Sequence, residues 1–514
     1  MNARSPSPIA RRILAAIRAT AATAATPVRH GWTGLRASPA VLALAAGLMS
    51  GCASVGPDYA APEVELPAGW HAELQPGLAG EQPEPAAWWT RLADPLLDRL
   101  VQRATQQGLD VREALARVRE ARALRGVAGA DRFPTLDATA GVERRGESDN
   151  TPIGAFVPDN TQYSAGFDAS WELDLWGRVR RSIEAADADL AASVEDARDA
   201  TVSVAAETAR TYVELRGFQQ RLSIARQNVE LQRSTLELAQ TRLDAGLVGE
   251  RDVAQAKTNL QTTVSRVPSL EADRRAAENR LAVLLGAAPG TLAEELAADG
   301  AIPVPPAQIA VGVPADLLRR RPDVRRAERV LAAETARIGV AQGDLYPRFT
   351  LAGSLGLAAD RTGALAQNDS SFFSLGPSLR WTIFDSGRLR QRVQAQDART
   401  DQALLRWERT VLVALEETEN ALTGFVREQE RRGALSEAAD QARRAVEFAQ
   451  TQYREGLTDF QAVVDTERTV AALQDDLAQS ETAIASRAVA IYKALGGGWE
   501  PQDAVSRADA PAGP

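Results

Sequence analysis

Two periods alternate along this chain of 514 residues. The first is a heptad. Leu215, Leu222, Val229, Leu236 and Leu243 recur every seven residues, with Phe218, Ala225 and Ala239 on the second seam. Val253, Leu260, Val267 and Leu281 continue a heptad downstream, partnered by Leu270, Ala277 and Leu284. Heptads sustained this long predict coiled-coil helices, with Arg274 and Arg432 interrupting the seams. No proline falls in 178–243 and Gly217 is its only glycine, so one helix there would reach about 100 Å at 1.5 Å per residue. Pro268 is expected to kink the following helix, because it removes a backbone donor.

The second period is two. Tyr163, Phe167, Trp171 and Leu173 alternate with Gln162, Asp168, Glu172 and Asp174, and Leu136 and Val142 lie on the apolar side of Asp137, Thr139 and Glu143. Phe349, Leu351, Leu355 and Leu357, then Phe373, Leu375, Leu379, Trp381 and Ile383, repeat the pattern. The expected strands are about 135–145, 162–174, 348–358 and 372–384, with polar loops at 146–161 and 359–371. A membrane β-strand needs roughly 9–11 residues, apolar toward lipid and polar toward a lumen. A half-buried soluble sheet would give the same alternation. In lipid, four strands cannot leave edges open, and closed barrels begin at about eight strands. Several copies must therefore share one barrel. Three copies, giving twelve strands, suit a lumen continuous with long helices. The fold class expected is α+β: a trimeric twelve-stranded transmembrane β-barrel, four strands per chain, continuing into a coiled-coil α-helical tunnel.

The chain is also written twice. "AQTRLDAGLV" (239–248) matches "AQTQYREGLT" (449–458) 210 residues on. The same offset pairs Trp171 with Trp381, Gly177 with Gly387, and Leu285-Gly286 with Leu495-Gly496. Upstream the offset becomes 213, pairing Asp110-Val111-Arg112 with Asp323-Val324-Arg325 and Phe133-Pro134 with Tyr346-Pro347. A tandem duplication follows. The expected divisions are a leader at 1–51, an N-terminal segment at 52–94, repeat 1 at 95–286, a Pro/Ala-rich connector at 287–314, repeat 2 at 315–496 and a tail at 497–514.

Composition then narrows the chemistry. Residues 1–51 hold six arginines and no acidic residue, then the apolar run "PAVLALAAGLM" (39–49) and two small residues before Cys52, the only cysteine. A basic region, a short apolar region and a small-residue cleavage site predict a secretory signal. Ser50 and Gly51 followed by Cys52 resemble a bacterial lipobox, with Met49 where leucine is usual. That resemblance makes Cys52 a lipid attachment site and, with Ala53 after it, favours the outer membrane. Removing 1–51 takes the net charge from −9 to −15, which argues against nucleic acid. Past Cys52 only His71 remains among histidines, which excludes cysteine–histidine pairs, zinc clusters and disulfides. With no phosphate loop or nucleophile elbow, no cofactor or metal is expected and an enzyme is disfavoured. Composition alone leaves a carboxylate-pair hydrolase open.

"WWTRLADPLLDRL" (88–100), "PADLLRRRPDVRRAE" (314–328), "GVAQGDLYPRFTLAGSLG" (339–356), "IFDSGR" (383–388) and "YKALGGGW" (492–499) together resemble the outer membrane factor family. These are the TolC-like efflux ducts, here their NodT-type lipoprotein branch. The resemblance implies a homotrimer and a mixed equatorial domain built from the chain ends and the connector. It also implies a periplasmic adaptor and an inner-membrane pump of the RND type as partners. By the same resemblance, the turns carrying Gly246-Leu247 and Gly456-Leu457 face the adaptor. It further implies that Asp465, Arg468 and Tyr453 contribute to a closed periplasmic aperture; Asp465 and Arg468, three apart, share a helix face. A plain surface salt bridge is the other reading of that pair. The first repeat has Gln255 and Thr258 at the matching positions, and Thr458 and Ala462 stand where the family often has further acidic residues. The function implied is a passive outer-membrane exit duct for small molecules. The alternatives are a type I secretion exit duct or a lipid-anchored periplasmic coiled-coil scaffold.

Overall fold

The computed structural model describes residues 54–71, 77–81, 86–146, 148, 150 and 159–499; the expected leader 1–51 and Cys52 lie outside them. In chain order the elements are β1 (Leu78–Ala79), a 3-10 turn (Trp88–Leu92), α1 (Pro95–Gln107), α2 (Leu109–Ala130), β2 (Thr135–Arg145), β3 (Asn160–Leu173), α3 (Arg178–Asp244), α4 (Glu250–Val264) and α5 (Arg266–Leu284). Then come β4 (Ile309–Ala310), α6 (Ala315–Arg320), α7 (Pro322–Gly343), β5 (Arg348–Ala359), two 3-10 turns, β6 (Ser371–Arg380), α8 (Arg388–Arg454) and α9 (Phe460–Ala494). The elements group into two compact units. Among the described residues, one is built from those up to Val64, Glu120–Ala192 and Ala327–Trp407, the other from Glu65–Arg119, Ser193–Arg326 and the chain from Glu408 on.

The first unit carries an antiparallel sheet in the order β2-β3-β5-β6. Pro134 and Pro347, which lack an amide donor, sit just before β2 and β5. One face is a ladder of apolar side chains, Ala138 opposite Phe167, Phe167 opposite Leu355, and Leu355 opposite Phe373. Its large side chains are exposed, Leu355 to 61% and Phe373 to 83%. The other face is polar, with Thr139 Oγ1 donating to Asp168 Oδ2 at 3.0 Å and the Ser354 and Ser374 hydroxyls 2.8 Å apart. The segment expected to run as a strand to 384 stops at Arg380. Its last partner is Arg348, the first residue of β5, and Pro347 stands just before it. Trp381 leaves the ladder and its indole donates to the Leu345 carbonyl at 3.1 Å.

The duplication is visible in the backbone. Gly177 and Gly387 have φ of +81° and +82°, Gly246 and Gly456 +72° and +76°, Gly286 and Gly496 +72° and +73°. Each of these pairs marks the same corner in the two halves, where a side chain would strain a left-handed residue. α3 and α8 are both 67 residues long. The later helices differ. α9 runs 35 residues unbroken, whereas its counterpart divides at Ser265 into α4 and α5. Pro268 explains the division, since its ring collides with the carbonyl of Val264, four residues back; repeat 2 has Ala478 in its place.

In the second unit residues 88–107 meet the end of α9 and the residues after it. Asp94 caps α1, accepting from the amides of Leu96 and Leu97 at 2.9 and 3.2 Å ahead of Pro95. Fully buried Trp88 stacks on Tyr492 at 5.1 Å, and Trp499 lies under the guanidinium groups of Arg198 and Arg325. β1 pairs in parallel with β4 of the connector. Among the described residues no helix is long and apolar enough to cross a membrane.

Candidate functional site

The two turns are built alike. Leu247 N–H donates to the Arg242 carbonyl at 2.9 Å and Gly246 N–H to Leu243 at 2.8 Å; Leu457 and Gly456 do the same with Gln452 and Tyr453 at 2.8 and 3.0 Å. This paired arrangement satisfies the last carbonyls of a helix, and it places a left-handed glycine at the corner. The residue after each glycine, Leu247 or Leu457, is exposed. Asp459 then caps α9 through the amide of Ala462 at 3.1 Å.

Behind the turns lies a small core of Ala239, Ala256, Ala449, Tyr453, Phe460, Val463 and Val464, drawn from α3, α4, α8 and α9. Tyr453 tilts against Phe460 at 5.3 Å, and the Arg242 guanidinium lies 4.7 Å from the Tyr453 ring centroid. Arg242 also donates to the carbonyls of Tyr453 and Arg454, a cation at the negative end of α8. The buried Tyr453 hydroxyl has no hydrogen-bond partner among the described residues.

Next to this core sits a charge. Glu467 is 1% exposed, yet accepts from three neutral side chains on three other helices. Thr235 Oγ1 of α3 approaches its Oε1 at 2.5 Å, Gln450 Nε2 of α8 the same oxygen at 3.1 Å, and Asn259 Nδ2 of α4 its Oε2 at 3.3 Å. Burial pushes the Glu467 carboxyl above the usual range, and the three hydrogen bonds pull it partly back. The amide oxygen of Asn259 accepts from Arg468 Nε at 3.1 Å, so Asn259 links the carboxylate to that arginine.

Of the residues singled out by sequence, Asp465 and Arg468 lie on the exposed side of α9. They form no ion pair with each other. Asp465 accepts from Gln461 Nε2 at 2.8 Å along its own helix, while Arg468 reaches across to α4. Tyr453 belongs to the core and touches neither. Sequence reasoning passed over Glu467 and Arg242. Glu467 had a readable signal, because it falls on the stripe of Phe460, Val463, Val464, Val470 and Ala471 where an apolar residue is expected.

Residues 100–287 and 313–497 match the outer membrane efflux protein family, one match in each half of the chain. Nodulation protein T of Rhizobium leguminosarum bv. trifolii is 32% identical over 455 residues, 88% of this chain and 96% of that protein. The pyoverdine export outer membrane protein OpmQ of Pseudomonas aeruginosa is 32% identical over 80% of this chain and 87% of its own length. Among solved structures, the outer-membrane channel OprN superposes with a TM-score of 0.82 at 39% identity, covering 87% of this chain and all of that one. The open Neisseria gonorrhoeae MtrE outer membrane channel superposes at 0.76 with 25% identity, covering 87% and 98%.

Proposed function

The chain belongs to the outer membrane efflux protein family, and from that premise we propose that it is the exit duct of a tripartite efflux system. Three copies each give four strands to one twelve-stranded barrel in the outer membrane, and their long helices form the tunnel below it. The duct is passive. An inner-membrane pump of the RND type supplies the energy, and a periplasmic adaptor joins the two. Relatives named for pyoverdine export favour small molecules as the cargo.

One observation carries this reading: the apolar row Ala138–Phe167–Leu355–Phe373 is exposed on a sheet whose β2 and β6 edges have no partner among the described residues. In water such a face would seek cover; hydrocarbon solvates it, but only if the sheet closes on itself. The test is the oligomeric mass of the detergent-extracted protein after inner and outer membranes are separated. A trimer from the outer membrane is expected. A monomer released on replacing Cys52 would instead favour a lipid-anchored scaffold. Cys52 itself, as the lipid attachment site, rests on the lipobox pattern.

The helix ends would form the periplasmic aperture. Asp465 holds only a partner on its own helix, which leaves the carboxylate available to a neighbouring copy; Arg468 adds an exposed cation three residues on, and Tyr453 supports the helix ends from the core behind the turns. A ring of such carboxylates repels anions, and links between copies hold it shut. Asp465→Ala is expected to raise the closed-state conductance in planar bilayers. An unchanged conductance would remove Asp465 from the gate. Gly246, Leu247, Gly456 and Leu457 form the adaptor-docking turns, a role supported by the two exposed leucines at equivalent corners.

A further inference from the structure

The rung of each hairpin nearest the helices differs in charge between the repeats. β2 and β5 both start directly after a proline, at Thr135 and Arg348. Thr135 stands opposite Ser170 of β3, and Arg348 stands opposite Arg380 of β6, 210 residues after Ser170. In repeat 1 the rung is two small hydroxyls, with Thr135 Oγ1 donating to the Ser170 carbonyl at 3.3 Å. In repeat 2 it is two guanidinium groups. Directly opposed antiparallel residues have Cβ atoms about 5 Å apart, and like charges so placed destabilise a sheet. The hydroxyl rung of repeat 1 shows that this corner of the fold needs no charge. One rung further from the helices, repeat 2 is the neutral one: Thr350 stands opposite Ser378, whose hydroxyl donates to the Thr350 carbonyl at 3.4 Å. Its counterpart in repeat 1 is Asp137 opposite Asp168.

The arginine pair has donors to spare. Arg348 and Arg380 are exposed, and alternation puts them with Ser354 and Ser374 on the polar face, which a closed barrel turns to its lumen. Arg348 pairs with Asp344, whereas Arg380 has no hydrogen bond or ion pair among the described residues. Of the carboxylates where strands pass into helices, Glu172 is held by Arg178. Asp174 accepts from the amides of Val179 and Arg180, and Asp385 from those of Gly387 and Leu389. We infer that Arg348 and Arg380 form an oxyanion-binding rung in the barrel lumen, for small molecules that carry a carboxylate, phosphate or sulfonate group. A guanidinium presents paired donors that match such a group. An anion held between two of them accepts from both and removes their repulsion. Three copies bring three such pairs to one lumen, and rings of arginine select anions in pores.

This inference rests on the shared-barrel reading, and the test separates the two. The mass of the full-length protein in non-ionic detergent is measured first. Pyranine, a trisulfonated pyrene, is then titrated with fluorescence anisotropy as the readout. Saturable binding to the parent trimer is expected, with citrate competing. Arg380→Gln breaks no contact described within the chain and should weaken pyranine binding about tenfold. Should that variant fail to assemble, Arg380→Lys keeps the charge but loses the planar fork, and a weaker affinity than the parent's is again expected. A trimer without saturable binding, or a trimeric variant that binds as the parent does, overturns the site and leaves the barrel standing. A monomeric mass overturns the barrel reading and the lumen with it.

Discussion

The sheet and the helix ends solve opposite problems. On the sheet, large apolar side chains such as Leu355 and Phe373 lie outside and small polar ones, Ser354 and Ser374, share the other face. At the helix ends, aromatic and aliphatic side chains lie inside, together with one carboxylate that has given up water for three amide and hydroxyl donors. The contrast identifies the medium each region meets. A sheet with one large exposed apolar face belongs against hydrocarbon, and an apolar core with a polar exterior belongs in water. A single chain carrying both has a boundary along its length, which composition averages away.

The comparison breaks most visibly at the core of the helix ends. Phe460→Ala removes a buried ring that packs on Tyr453, and a loss of about 3–5 kcal/mol is expected. Limited proteolysis at the turns should report it, as faster cutting near 244–252 and 454–462 with the rest of the chain intact. The matching change on the sheet is Leu355→Arg. At an exposed position of a soluble sheet it would be nearly neutral. In a lipid-facing row it should cost roughly 2–4 kcal/mol and lower the yield of assembled protein in the outer-membrane fraction. Equal yields of variant and parent would show that this face meets water. A smaller effect belongs to the corners. Gly456→Ala forces a left-handed alanine at φ +76°, costing about 1–2 kcal/mol, and Gly246→Ala at +72° should match it. Thermal unfolding would check the equivalence, and unequal losses would mean that the two turns are held by different surroundings.

Much of this was legible in sequence because it depends on period. Heptads mark α3, α4 and α5, alternation marks the four strands, and one offset joins Gly246 to Gly456. What period does not carry is the identity of a partner far along the chain. Thr235 and Asn259 reach Glu467 from 232 and 208 residues away, and nothing local announces either contact. For the same reason Asp465 and Arg468, three apart, look like a pair by spacing, while in the fold Arg468 turns to Asn259 instead. The end of β6 depended on Pro347, just before its neighbour strand. Pro268 was readable as a disturbance, but its break shows at Ser265, just after the Val264 carbonyl that its ring displaces.

The smallest expected effect is the most specific to the buried carboxylate. α3 presents Thr235 to Glu467, α4 presents Asn259 and α8 presents Gln450, all neutral, and Arg468 on its own helix joins this network through Asn259. Burial raises the Glu467 carboxyl above its ordinary 4.5, so the packed helix ends hold the proton more tightly than ends opened to water. The packed arrangement therefore gains stability as pH falls through the raised value, keeps that gain in full below the ordinary value, and loses it as pH rises again. Proteolysis at the turns should accordingly be slower in mildly acidic buffer than at neutral pH, within the range where the parent fold is intact. Glu467→Gln keeps the shape and removes the titration. Its proteolysis rate should lose this pH dependence after correction for protease activity. A parent-like pH dependence in the glutamine variant would assign the titration to another group, and an opposite slope in the parent would mean that the three hydrogen bonds outweigh burial.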